Sequence, residues 1–169
     1  MPADKISVDA AKPDKLFYFV CTVIPFRKED GRCLILKRDE REKVHPGKWG
    51  VCGGKLEHGD LDLKHPTRMN GDVADFEGAV RDLLRRESKE EANIELGEEF
   101  HLLGDIVFVR PDGIPVVMLQ FGGEYAGGEV QPEAGAFTEA AWVNADEVKD
   151  YDCIDGIQGE VARTIKAFA

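Results

Sequence analysis

The sequence predicts an α/β fold in which helices pack against a mixed β-sheet. Short segments rich in aromatic and β-branched residues recur between turns that contain Gly, Pro or Asp, which is typical of strands. Two other segments repeat apolar residues at steps of three and four, which predicts amphipathic helices. The resulting order, β-β-β-α-β-β-β-α, favours one sheet that carries both helices.

The first third of the chain predicts a hairpin and a short third strand. Residues 1–15 are polar and contain two prolines, so we expect a tail or an edge segment there. The predicted strands are 16–26, 33–37 and 49–52. The turn 28–31 joins the first two strands, and the charged residues 39–48 predict a loop before the third. We expect Gly53 and Gly54 to end that strand.

The strongest helix prediction lies in the middle of the chain. Its apolar positions are Phe76, Ala79, Val80, Leu83 and Leu84. We expect Asp72 or Asp75 to cap its start, and Asn93 to end it because Asn tolerates the left-handed conformation. The preceding residues 60–72 contain Pro and Gly without a clear period and predict a loop.

The last third predicts three strands and a second helix. The strands are 101–109, 116–125 and 140–143. A turn at 110–115 separates the first two, and the Gly-rich, acidic residues 122–136 predict a flexible loop. The apolar positions of the second helix are Ile157, Val161, Ile165 and Phe168.

Composition limits the classes of function. A chain of 169 residues with 43% hydrophobic residues predicts a single globular domain. Thirty-three acids oppose 22 Lys and Arg residues, and this net charge of −11 disfavours nucleic acid and anionic membranes as partners. No apolar run has the length of a membrane span, and the N-terminus lacks a signal-peptide pattern, so we expect a cytoplasmic protein. Four scattered cysteines predict reduced thiols.

The acidity is concentrated around the central helix. Residues 71–100 hold ten acids and four bases. Three of these acids, Glu87, Glu90 and Glu91, share one helix face close to the apolar stripe, and Arg86 lies four residues before Glu90. A solvated helix end is one interpretation. The other is a site for Mg²⁺ or Mn²⁺, because hard cations bind carboxylate oxygens.

A glycine-containing segment upstream of the helix favours the second interpretation. Residues 53–60 read GGKLEHGD and follow a predicted strand. Paired glycines let backbone atoms approach an ion or a phosphate closely. This loop is weak evidence alone, but the motif Arg-Glu-x-x-Glu-Glu at 86–91 makes the combination specific.

Together these residues resemble the signature of the Nudix hydrolases, Gly-x5-Glu-x7-Arg-Glu-U-x-Glu-Glu-x-Gly-U, with U a bulky apolar residue. Gly54 and Asp60 begin the match, and residues 86–94 complete it. The departures are Asp60 in place of Glu, Ser88 in place of an apolar residue, and Asn93 in place of Gly. In addition, 18 extra residues, an insertion at about 61–74, separate the two halves of the signature.

The resemblance implies a Nudix-type α/β/α sandwich over residues 16–169, with the mixed sheet between helices. It also implies a pyrophosphohydrolase that cleaves the diphosphate linkage of a nucleoside diphosphate linked to a group X by divalent-metal-assisted attack of water. Nucleoside triphosphates, nucleotide sugars, ADP-ribose and dinucleoside polyphosphates all belong to this class of small molecules. Because many members of the family dimerise, a homodimer is one assembly that the resemblance allows.

The resemblance also assigns roles to residues. The implied metal ligands are the Gly53 carbonyl and the carboxylates of Glu87, Glu90 and Glu91. The implied catalytic residues are Glu87, Glu90, Arg86 and a late-loop glutamate, for which Glu139 is the main candidate and Glu133 the second. The implied substrate-binding residues are Gly54, Lys55 and, within the insertion, Arg68.

Two other functions stay open on the sequence alone. One is a Nudix-like module that senses a nucleotide without cleaving it, although the complete set of carboxylates argues against this. The other is an isoprenoid-diphosphate isomerase on the same fold, for which Cys52 is a candidate acid or base.

Overall fold

The computed structural model describes residues 1–169 and contains one large sheet, one small sheet and two α-helices. In chain order the elements are β1 (Tyr18–Arg27), β2 (Arg32–Arg38), β3 (Trp49–Gly50), β4 (Cys52–Lys55), β5 (Arg68–Asn70), β6 (Val73–Asp75), α1 (Ala79–Ala92), β7 (Glu95–Val109), β8 (Pro115–Gly127), β9 (Phe137–Val143) and α2 (Ile157–Phe168). Short 3-10 turns lie at Pro13–Lys15, His58–Asp60 and Glu147–Asp150.

The large sheet has seven strands and is mixed, as the sequence predicts. Its main path is β3-β2-β1-β8-β7, while β4 also pairs with β1 and β9 with β2. Strands β1 and β8 are parallel, with Val23 opposite Phe121, and the other pairs are antiparallel. The hairpin of β1 and β2 is confirmed, with Phe26 opposite Cys33.

The sheet lies between the two helices, so the predicted sandwich is confirmed. Successive residues of a strand point to opposite faces, and the two faces bury separate apolar clusters. Val23 belongs to the cluster that contains Leu83 and Leu84 of α1. Ile24 belongs to the cluster that contains Ile157 and Val161 of α2. Each helix therefore covers one face of the sheet.

Helix α1 ends where the sequence predicts but begins later. Asn93 adopts the left-handed conformation with φ 57°, and its N–H donates to the carbonyls of Lys89 and Ser88. The N-cap is Gly78, so the predicted capping by Asp72 or Asp75 is wrong. Asp75 instead accepts a hydrogen bond from Arg68, and Asp72 pairs with the N-terminal amine.

Three other predictions are wrong in part: the end of a strand at Gly53 and Gly54, and the loops at 60–72 and 122–136. Gly53 and Gly54 lie inside β4, opposite Thr22 and Cys21, and do not end a strand. The predicted loop 60–72 contains β5 and the turn of the β5–β6 hairpin, which Gly71 makes with φ 62°. Residues 122–127 of the predicted loop 122–136 belong to β8. Gly53, Gly54, Gly122 and Gly123 allow close packing inside a strand, whereas Gly71 does reverse the chain.

The four cysteines form no disulfide bond. All four cysteines are free thiols, as predicted, and Cys21, Cys33 and Cys52 are buried. Neither helix is long and apolar enough to cross a membrane.

Candidate active site

Two glycines of β4 bring the backbone of the sheet against the carboxylates of α1. The Gly53 N–H donates to Glu91 Oε2 at 2.9 Å. A Cβ at residue 54 would lie 2.9 Å from Glu87 Cγ and still closer to its carboxyl group. A Cβ at residue 53 would lie 2.5 Å from the Cys21 carbonyl oxygen. Glycine at residue 54 leaves room for the Glu87 carboxylate, whereas glycine at residue 53 leaves room for the neighbouring strand β1 and holds Glu91 through its N–H.

Arg86 joins the two halves of the signature across the insertion. Its guanidinium forms an ion pair with Asp60, donates to Glu87 Oε1 at 3.1 Å, and lies 3.9 Å from Glu90 Oε1. Asp60 also accepts a hydrogen bond from the Glu57 N–H at 2.8 Å. Burial opposes ionisation of Asp60, but the Glu57 N–H and Arg86 together lower its pKa. The segment between Asp60 and α1 therefore loops out without separating Asp60 from Arg86.

The two inward carboxylates carry poorly compensated charge. Burial raises the pKa of Glu91 to about 8, and the Gly53 N–H opposes this while Glu87 and Glu133 add to it. Burial also raises the pKa of Glu87, although Arg86 opposes the shift. Glu91 therefore lies in an environment that favours either a proton or an added positive charge.

The donor chemistry of this pair fits Mg²⁺ or Mn²⁺. Mg²⁺ is usually held by one or two carboxylates, with waters and substrate phosphates as the other ligands. Glu87 and Glu91 are one helical turn apart and supply two such carboxylates. Glu90 differs from these two because its side chain is 56% exposed. No group of three or more His, Cys, Asp or Glu side chains is arranged to hold a metal ion by itself. The arrangement favours a cation shared between the protein and an anionic substrate.

A cleft of about 890 Å³ opens beside these carboxylates. Its polar end contains Gly53, Gly54, Lys55, Arg86, Glu87 and Glu91. Its other end is formed by β7, β8, α2 and the segment before α2, which contribute Ile106, Phe108, Met118, Gln120, Ile154 and Glu160. The volume is within the range typical of small-ligand sites.

The structure brings together most of the predicted site residues, and three lie elsewhere. Arg68 belongs to the β5–β6 hairpin, where it pairs with Asp75 at 2.8 Å, and it does not line the cleft. Glu139 lies opposite Lys37 across β2 and β9 and pairs with it at 2.8 Å, also outside the cleft. Glu133 is not a cleft residue, but its N–H donates to the Glu91 carbonyl at 2.9 Å. Of the two late glutamates, Glu133 is therefore the one attached to the end of α1.

Sequence reasoning missed one polar pair in the cleft. Gln120 Nε2 donates to Glu160 Oε1 at 2.7 Å, and both residues are about 95% buried. They are 40 positions apart and meet only through the packing of α2 on β8. One signal was present, since Glu160 interrupts the apolar face of a helix between Ile157 and Val161.

The fold and this arrangement together are typical of hydrolases that cleave phosphoric anhydride bonds with the help of a divalent cation. The sequence model of the NUDIX domain matches residues 18–163. The chain therefore belongs to the Nudix family and is a Nudix hydrolase, as the sequence predicts. No curated protein matches the chain.

Solved structures share the fold at low sequence identity. The MutT protein of Methanosarcina mazei is 19% identical, with a TM-score of 0.62 and coverage of 93% of this chain and 99% of that chain. The NUDIX domain of NrtR from Shewanella oneidensis, described as complexed with ADP ribose, is 12% identical, with a TM-score of 0.64 and coverage of 94% of each chain. An ADP-ribose pyrophosphatase from Streptococcus suis is 16% identical, with a TM-score of 0.56 and coverage of 90% and 92%. At these identities the likeness extends to the fold alone.

Proposed function

We propose that the protein is a divalent-metal-dependent pyrophosphohydrolase that cleaves the diphosphate linkage of a nucleoside diphosphate linked to X. The observation that carries this proposal is the pair of inward carboxylates, Glu87 and Glu91, held against Gly53 and Gly54 at the mouth of a ligand-sized cleft. Burial raises the pKa values of both carboxylates, and a bound cation would supply the positive charge that keeps them ionised.

In this proposal Glu87 and Glu91 would hold Mg²⁺ or Mn²⁺, with the Gly53 carbonyl as a further ligand, and the more exposed Glu90 would stay free to accept a proton. The bound cation supplies charge neutralisation of the diphosphate and lowers the pKa of the attacking water. Arg86 holds the Glu87 carboxylate through its hydrogen bond at 3.1 Å, and Asp60 in turn holds Arg86. Asp60 and Arg86 are thus positioning residues for the ligand pair.

We assign the acceptance of the water proton to Glu90. Its side chain is the most exposed of the three carboxylates and lines the cleft, so it can reach a water molecule in front of the substrate. The proton moves from the water to a Glu90 carboxylate oxygen as the water oxygen bonds to phosphorus, and the leaving phosphate carries away the bonding electron pair. Lys55 and Arg38 also line the cleft. Because Arg38 already pairs with Glu42 at 3.1 Å, we assign the binding of the substrate phosphates to Lys55.

The substrate class rests on two supports. The cleft is large enough for a nucleotide, and the apolar side chains of β7 and β8 that line it can contact a base or a sugar. Two of the fold neighbours are described by name as binding ADP ribose or as an ADP-ribose pyrophosphatase. An ADP-ribose-like compound, a nucleoside triphosphate, a nucleotide sugar and a dinucleoside polyphosphate are therefore the compounds to screen.

The isomerase alternative has less support. Its candidate acid or base, Cys52, is 1% exposed and lies behind the carboxylates, and burial raises its pKa far above the ordinary value. A thiol in that place does not contact a ligand in the cleft. The nucleotide-sensing alternative shares every binding feature, so only turnover separates it from the hydrolase.

The test is a screen of the four compound classes with Mg²⁺, with Mn²⁺ and with a chelator, followed by separation of the products. We expect cleavage between two phosphorus atoms that requires the cation. Binding without cleavage of any compound would favour the sensing module, and rearrangement of an isoprenoid diphosphate without phosphate release would favour the isomerase.

A further inference from the structure

A second groove, lined mostly by apolar side chains, opens beside the cleft and takes no part in the hydrolytic steps above. Its volume is about 730 Å³, which is within the range typical of small-ligand sites. Its walls come from the chain before and at the start of β1, the end of β4 and the turn between β7 and β8. They include Val8, Leu16, Phe17, Tyr18, Leu56 and Ile114. This cavity is named the aromatic groove below.

The aromatic groove exposes large apolar side chains at consecutive positions. Leu16, Phe17 and Tyr18 are 42%, 49% and 45% exposed. Single exposed apolar residues are common on protein surfaces, but a contiguous group in a concavity marks a binding site. The next residue, Phe19, packs against the apolar cluster on the α1 side of the sheet. Strand β1 therefore holds two exposed aromatic rings in place at the groove.

The aromatic groove is continuous with the cleft that contains the carboxylates. Lys55 and Glu57 line both cavities. The Lys55 ammonium nitrogen, to which we assign the substrate phosphates, lies 5.9 Å from the centre of the Tyr18 ring. A polyphosphate bound at Lys55 can therefore carry one substituent into the cleft and another into the aromatic groove.

The wall between the two cavities also holds the ion-pair link of the active site. The Glu57 N–H donates to Asp60 at 2.8 Å, and Asp60 pairs with Arg86. Arg86 in turn donates to Glu87 at 3.1 Å. A group bound in the aromatic groove thus contacts the segment that positions a catalytic carboxylate, which links this groove to the active site.

The residues of the aromatic groove favour a planar ring system that has polar atoms at its edge. Phe17 and Tyr18 offer ring faces on which nucleobases and other aromatic systems stack. Glu57 and His58 line the same groove and can form hydrogen bonds with polar edge atoms. A hydrocarbon chain would cover these polar groups without giving them partners, and a lone sugar would cover little of the apolar surface.

We infer that the aromatic groove is a second subsite of the active site, which binds an aromatic ring system at the X end of the substrate. The inference rests on the proposed function and narrows its substrate class. It selects compounds that carry an aromatic group at each end of a polyphosphate, as a dinucleoside polyphosphate does. Nucleoside triphosphates, nucleotide sugars and ADP-ribose leave the groove without such a group.

The first test locates the two ends of the ligand by nuclear magnetic resonance. Diadenosine tetraphosphate and ATP are titrated separately to millimolar concentration into amide-labelled protein, with a chelator present to prevent turnover. We expect diadenosine tetraphosphate to shift the amide signals of Phe17, Tyr18 and Leu56 together with signals of the cleft, and ATP to shift signals of the cleft alone. Unshifted groove signals with diadenosine tetraphosphate would overturn the inference.

The second test compares Phe17→Leu, which keeps an apolar side chain without a ring, with Phe17→Trp, which keeps a ring. We expect Phe17→Leu to lower kcat/KM for diadenosine tetraphosphate roughly ten-fold more than for ATP, because stacking is lost, and Phe17→Trp to restore most of this loss. The control is Val73→Ala, since Val73 is 60% exposed on β6 and lines neither cavity. It should behave as wild type towards both compounds.

The remaining outcomes separate this inference from the proposed function. An equal effect of Phe17→Leu on both compounds would overturn the inference, as would a larger loss in Phe17→Trp than in Phe17→Leu, which would indicate an aliphatic X group. Cleavage of ATP or ADP-ribose in preference to diadenosine tetraphosphate would overturn it and leave the proposed function intact. Shifted groove signals in a protein that cleaves none of the compounds would support the inference and contradict the proposed function.

Discussion

Gly54→Ala tests whether the close approach of β4 to α1 sets the geometry of the site. The new Cβ would lie 2.9 Å from Glu87 Cγ and closer to the carboxyl group, whereas ordinary carbon contacts lie at about 3.5–4.0 Å. The Glu87 carboxylate must therefore move by about 1 Å. A displacement of that size in a catalytic group costs about 100-fold in rate, and we expect kcat/KM to fall by that factor.

The control for this change is Gly59→Ala in the adjoining turn. A Cβ at residue 59 meets no atom within 4 Å, and neither Gly54 nor Gly59 has a positive φ that alanine would strain. We expect Gly59→Ala to retain the wild-type rate, and Gly54→Ala to remain folded by circular dichroism. The assay is the initial rate of diphosphate cleavage with Mg²⁺, and a Gly54→Ala rate within about three-fold of wild type would refute the reasoning.

Three further predictions concern the ion-pair link, the buried carboxyl and the end of α1. Arg86→Lys should lower kcat by about ten-fold or more with little change in KM, because lysine cannot hold Asp60 and Glu87 at once; steady-state kinetics measures this, and an unchanged kcat would contradict it. Glu160 has a pKa raised to about 7, so its contribution to stability is fully present below its ordinary pKa and is lost as the pH rises through 7. The free energy of unfolding of the wild-type protein, measured with urea, should therefore fall by up to about 3 kcal/mol between pH 4.5 and 8, whereas that of Glu160→Gln should not. Parallel pH profiles for the two proteins would contradict this. Asn93→Ala should lower the free energy of unfolding by about 1 kcal/mol more than Asn93→Gly does, because both variants lose the hydrogen bond from Asn93 Nδ2 to the Glu129 carbonyl at 3.0 Å but only alanine is strained at φ 57°. Equal losses in both would refute the left-handed cap as the cause.

The parts of the fold with a clear repeat were predictable from the sequence. The apolar period of α1 and the β-branched runs of β1 and β2 report local preferences, so the mixed sheet and both helices were predicted correctly. The role of each glycine was not predictable from the sequence, since glycine permits a turn at Gly71 and close packing at Gly54. Which of these applies depends on neighbours that are distant in sequence.

The residues of the candidate site were likewise predictable only where they lie close together in the sequence. Glu87, Glu90 and Glu91 lie within five residues on one helix, and their spacing alone places them on one face. The separation of Asp60 from Arg86 by the insertion concealed that the two side chains form an ion pair. The pair of Gln120 and Glu160, and the placement of Arg68 and Glu139 outside the cleft, depend on tertiary packing that no local pattern records.

The central claim is that Glu87 and Glu91 hold the cation that cleavage requires. The most direct measurement is the initial rate of diphosphate cleavage across a Mg²⁺ titration for wild type, Glu87→Gln and Glu91→Gln, with Asp82→Asn on the exposed face of α1 as the control. Asp82 is 74% exposed, so its variant should behave as wild type. The account predicts that Glu87→Gln and Glu91→Gln lose about 100-fold or more at saturating Mg²⁺ while they remain folded. Folded variants that cleave at the wild-type rate with the wild-type Mg²⁺ dependence would contradict it.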